Sequence, residues 1–87
     1  MSLDQNFEKA QADVKTLTKR PSDSQFLDLY SLFKQATEGD NTTSKPGMFD
    51  IKGQFKWNAW KDKSGLSKDE AKQKYIDLVN GLLQTHI

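Results

Sequence analysis

The chain is predicted to be all-α, a bundle of four helices in a single domain covering residues 1–87. Three observations lead there. Apolar residues recur at alternating steps of three and four, the mark of a helix with one buried stripe. Helix-start signals of the capping-box type, Ser followed three later by Gln or Glu, stand at Ser2–Gln5, Ser22–Gln25 and Ser67–Glu70. Nothing alternates with the period of two that a strand requires.

The first helix is expected from about Asp4 to Thr18, with Leu3, Phe7, Ala10, Val14 and Leu17 as its stripe. It closes before Lys19-Arg20-Pro21, since the residue preceding proline is driven out of helical angles. The second runs from Ser22 to about Thr37 on a stripe of Phe26, Leu29, Tyr30, Phe33 and Ala36, and Gly39 is its natural stop. Asp40 to Gly47, rich in Asn, Thr, Ser, Pro and Gly, reads as a loop. A third helix is expected from near Asp50 to before Gly65, with Ile51, Phe55 and Ala59 facing inward. Gly53 inside it costs about 1 kcal/mol relative to alanine, which calls for a packing or ligand reason. The fourth opens at Ser67 and reaches about Thr85 on Ala71, Tyr75, Leu78, Val79 and Leu82.

Composition narrows the function. Thirteen basic against twelve acidic residues leave a net charge of +1, unlike the strongly basic domains that bind nucleic acid. No cysteine is present, so disulfides and thiolate metal sites are excluded. No segment has the apolar length of a membrane span, and the start lacks the features of a signal peptide. A cytoplasmic protein is the expectation. The single histidine, His86, stands next to the last position, where chains usually fray. No catalytic constellation is found, and no cofactor is expected. Asp69 and Glu70 favour the helix dipole, and the oxygens of Glu38, Asp40 and Asn41 lack the spacing of a calcium loop.

Instead, rings and lysines recur together. Tyr30, Phe33 and Lys34 share one segment; Lys52, Lys56 and Trp57 share another. Rings at such spacing can stack on a base, and lysines can hold phosphate oxygens. They can equally be half-buried core and solvated charge. Trp57 and Trp60, three apart on one face, are read as core, although either could stack on a base.

One further feature decides between these readings. Tyr30, Lys34-Gln35-Ala36-Thr37, Gly39-Asp40, Lys45-Pro46-Gly47-Met48-Phe49 and Lys56-Trp57-x-x-Trp60 together closely resemble the acyl-CoA-binding protein family, also called diazepam-binding inhibitor. The resemblance spans essentially the whole chain. It implies an up-down-down-up bundle whose long overhand loop joins the second and third helices. It also implies a non-enzymatic, monomeric carrier of long-chain fatty acyl-CoA esters. Tyr30, Lys34 and Lys56 match positions that bind the 3′-phosphate of the CoA adenosine. Phe33 and Tyr75 match positions around the adenine and its ribose phosphate. Lys15 matches a contact near the thioester, and Lys52 a basic position that could meet the pyrophosphate. Phe26 and Leu27 match the acyl groove. Ser31 and Leu32 belong to the same ligand-contacting stretch, but Leu32 lies about 200° from Tyr30 around the helix at 100° per residue. Many relatives carry tyrosine where this chain has Phe33, so a hydroxyl is missing there. Two other readings are a helical interaction module and the precursor of a processed signalling peptide.

Overall fold

The computed structural model describes residues 2–86. Four helices follow one another: α1 (Leu3–Val14), α2 (Asp23–Glu38), α3 (Ile51–Asp62) and α4 (Lys68–Thr85). All three expected capping boxes form, each with the serine hydroxyl accepting from the backbone N–H three residues on and that residue's side chain reaching back. At the start of α3 the Asp50 carboxylate accepts from the Gly53 N–H at 3.0 Å. A Cβ on Gly53 would lie 2.3 Å from that carboxylate, so the glycine makes room for the cap.

Directions follow from where the helix ends meet. Lys72 pairs with Asp4 at 2.7 Å near the starts of α4 and α1. Beyond their far ends, Thr18 and Lys19 both donate to the His86 carbonyl at 3.0 Å. These two helices therefore run the same way, and His86 is tied down rather than frayed. Gln35, late in α2, donates to Leu66 just before α4 at 2.9 Å, so α2 opposes α4. Lys56 meets Phe26 and Tyr30, while Trp60 meets Gly39 at the end of α2. α3 thus follows the direction of α2, completing up-down-down-up. The core lies where α1 and α2 pack on α4, around Phe7, Leu32, Ala36, Ala71 and Val79.

Three expectations are corrected. α1 ends at Val14, not Thr18, because the Thr16 hydroxyl takes the Asp13 carbonyl at 2.6 Å and the backbone tightens into a turn. Leu17 still packs against the core. In α3, Ile51 and Phe55 do not face inward: they are 61 % and 58 % exposed, and Trp60 supplies the buried contact at 6 %. Trp57 is only half-buried.

The overhand loop is stitched to its surroundings. Trp60 Nε1 donates to the Gly39 carbonyl at 2.8 Å, and Trp57 Nε1 to that of Thr43 at 3.1 Å. Buried Asn41 donates to the Trp57 carbonyl at 3.2 Å. Gly39 takes a φ of 82°, where a side chain would be strained. Asp40 accepts from Gln35 at 2.7 Å and from the Gly65 N–H at 3.0 Å. The Gly65 and Gln35 bonds, aided by the Lys61 charge, hold the Asp40 carboxyl below its ordinary value of 3.8. A carboxyl whose pKa is lowered by folding stabilises the fold above its unfolded pKa and loses that contribution as pH falls through the folded value. The melting-temperature difference between the wild-type protein and Asp40→Asn should therefore shrink as pH falls below 3.8. A difference independent of pH would assign Asp40 a purely geometric role.

Candidate functional site

Between the end of α1, the start of α2 and the middle of α4 lies a hollow of about 340 Å³, lined by Val14, Pro21, Phe26, Leu29, Tyr30, Phe33 and Tyr75. The helical period of α2 sends Phe26, Tyr30 and Phe33 to one side at steps of four and three. Opposite them, the Phe7 and Tyr75 rings meet edge to face with centroids 5.2 Å apart, while Phe33 stacks on Phe7 at 6.1 Å. The lining is nearly all carbon. Burial raises the Tyr75 phenol above its ordinary value of 10.0, so it enters any contact as a neutral ring.

An ammonium stands at the rim. Lys56 Nζ, carried in by α3, lies 5.3 Å from the Tyr30 ring centroid and 6.0 Å from that of Phe26. Lys52, one turn earlier on α3, is exposed. An apolar hollow with a cation at its edge suits an amphiphile: a hydrocarbon part leaves water while an anionic part stays at the surface.

Lys34 is held elsewhere. Its ammonium pairs with Glu38, one turn on in α2, and sits 4.8 Å from the Trp60 ring centroid. Its charge is thus already partly compensated, unlike that of Lys56. That pairing was visible in the sequence as Lys34 and Glu38 at i and i+4. The hollow's Val14, Pro21 and Leu29 carry no polar side-chain group, so residue type alone does not mark them as ligand contacts.

The remaining candidates divide. Phe26, Tyr30, Phe33 and Tyr75 share the hollow. Lys15 lies exposed at the C-cap of α1, next to Val14. Leu27 is half-buried and lies outside the lining. Ser31 is fully buried, its hydroxyl donating to the Asp28 carbonyl at 3.1 Å. Leu32 is buried in the core and lines a different recess, with Asp28, Lys63 and Leu78. Neither Ser31 nor Leu32 is brought to the hollow, because α2 turns those positions toward its packed sides.

Comparison with known proteins settles the kinship. Residues 4–79 match the family model described as acyl CoA binding protein. This chain belongs to that family. It is 56 % identical to acyl-CoA-binding protein homolog 1 of Caenorhabditis elegans over 78 residues, which cover 90 % of this chain and 91 % of that one. The homolog of Drosophila melanogaster is 53 % identical, with 93 % of this chain and 94 % of the relative covered. Among solved structures, the crystal structure of Oryza sativa acyl-CoA-binding protein 2 superposes with a TM-score of 0.91 at 44 % identity, covering 95 % of this chain and 92 % of the other. The two chains therefore share the same bundle.

Proposed function

We propose that this protein binds long-chain fatty acyl-CoA esters and carries them, as a cytoplasmic monomer, without altering them chemically. The observation that carries this reading is the Lys56 ammonium poised over Tyr30 at the rim of an apolar hollow. Family membership supports the ligand class. In this reading Tyr30, Lys34 and Lys56 hold the terminal phosphate of the nucleotide, and Phe33 and Tyr75 pack against its base. Lys52 and Lys15 serve the pyrophosphate and the thioester region. Phe26 and Leu27 flank the tail.

The head and tail contribute differently. Burying a methylene is worth about 0.8 kcal/mol, so a dozen supply on the order of 10 kcal/mol at most. Charge-assisted hydrogen bonds add about 1.5–3 kcal/mol each, and ordering and desolvation offset much of the total. Tail burial thus dominates affinity, while the phosphates decide which thioester is accepted. Calorimetric titration with a long-chain acyl-CoA, free CoA and a free fatty acid tests this directly. The intact ester should bind far more tightly than either half and be recovered unhydrolysed. Equal binding of the free fatty acid would overturn the role of the head, and loss of the thioester would reveal an enzyme.

Glu38 gives a sharper check. Its carboxylate holds Lys34 in the unliganded protein, so Glu38→Gln should release the ammonium to the ligand. Exposed pairs are worth about 0.2–1 kcal/mol, which corresponds to at most roughly a fivefold gain in affinity. The gain should vanish with an ester lacking the adenosine phosphate. A fall in affinity would mean that Glu38 positions Lys34 for binding instead of competing for it.

A further inference from the structure

The turn that leads into α3 displays apolar side chains that the hollow does not use. Met48 and Phe49 are 76 % and 93 % exposed, and Ile51 and Phe55 continue the surface along the first turns of α3. Burial would have been the ordinary fate of such side chains. Their exposure is enforced by local structure. The Asp50 N–H donates to the Gly47 carbonyl at 3.0 Å, closing a tight turn with Met48 and Phe49 at its tip, and Gln54 Nε2 donates to the same carbonyl at 2.8 Å. The tip is therefore a braced knuckle.

The charges around it are mostly basic. Lys45 precedes the tip, and Lys52 follows it on α3; both are exposed. Asp50 is the acidic residue between them, and its carboxylate is already engaged by the Gly53 N–H at the start of α3, where the helix dipole further offsets its charge. A rigid apolar tip flanked by lysines is complementary to the boundary of an anionic bilayer. There, rings and thioethers enter the edge of the acyl layer while ammonium groups stay among the phosphates. A protein partner would need an acidic rim around an apolar socket; a bilayer containing phosphatidylserine offers both over any area.

We propose that Met48, Phe49 and Ile51, with Lys45 and Lys52, form a docking surface for anionic membranes. No helix of the chain is long and apolar enough to cross a bilayer, so the contact is peripheral and reversible. Docking would place the carrier where sparingly soluble acyl chains are taken up and given away.

Flotation with phosphatidylcholine vesicles, with and without phosphatidylserine, tests the surface. The unliganded protein should float with the anionic vesicles and about tenfold less with neutral ones, the ratio falling as salt rises. Phe49→Asp and Met48→Ser alter fully displayed side chains, so the fold should persist by circular dichroism, and both should reduce flotation to background. Calorimetry with acyl-CoA in the absence of vesicles, run on the same variants, should show unchanged affinity. Wild-type protein that stays with the bulk solution would overturn the proposal while leaving the acyl-CoA reading intact. Weakened ligand binding with unchanged flotation would overturn it too, assigning the knuckle to the ligand's own tail. Flotation that is equal on neutral and anionic vesicles would remove the lysines from the contact.

Discussion

Replacing Trp60 by alanine should destabilise the fold by about 3–5 kcal/mol, the scale of deleting a large buried ring. Three observations converge on this residue. It is 6 % exposed, the buried contact of α3. Its indole N–H donates to the Gly39 carbonyl at 2.8 Å, pinning the overhand loop where α2 ends. Its ring face supports the Lys34 ammonium. Against a typical domain stability of about 5–15 kcal/mol the loss is severe, and urea unfolding should show it as a lower midpoint. Trp60→Phe keeps a ring but leaves the Gly39 carbonyl without its donor, for which about 1–3 kcal/mol is expected. If the phenylalanine variant were as stable as the wild-type protein, the hydrogen bond would not be what anchors the loop.

Trp60 also shows what the sequence could and could not disclose. In α1 and α4 the apolar stripe, the capping box and the buried face agree, so those helices were legible in type and start. In α2 the capping box marks the start, but the expected stripe splits, with Leu29 and Ala36 buried beside Leu32 while Phe26 is exposed. In α3 two apolar arcs compete, Ile51 with Phe55 and Trp57 with Trp60, about 170° apart on the wheel at 3.6 residues per turn. Periodicity marks both arcs equally. Only tertiary packing decides that α3 presents Trp60 to α2 and leaves Phe55 in solvent. The motif residues Gln35, Gly39 and Asp40 posed a different difficulty. A fully buried glutamine is invisible to hydropathy, and its partners Asp40 and Leu66 lie 5 and 31 residues away. Much of what makes the chain resemble its family is thus the fastening of the loop. Tyr30, Phe33 and Tyr75 were readable as candidates from residue type and resemblance, whereas their convergence with Lys56 depends on how α3 crosses α2.

Lys56→Ala should weaken acyl-CoA binding by about 1.5–3 kcal/mol, the scale of a charged hydrogen bond, or roughly ten- to 150-fold. The fold should be unaffected, because the side chain reaches over the outer faces of Tyr30 and Phe26 and fills no part of the core. Lys34→Ala should cost less. In the free protein Lys34 already satisfies Glu38 and Trp60, so a ligand gains only the difference between the old partners and the new one. Lys56 meets only ring faces among the described residues, and its charge is the more available. The two variants should therefore rank, with Lys56→Ala the weaker binder, by calorimetry at low ionic strength, where exposed charges are least screened. The ranking should collapse with a dephospho-CoA ester, whose missing phosphate removes the common target of both lysines. If Lys56→Ala retained the difference between the two esters, the phosphate would be held elsewhere and Lys56 would belong only to the rim of the tail's hollow.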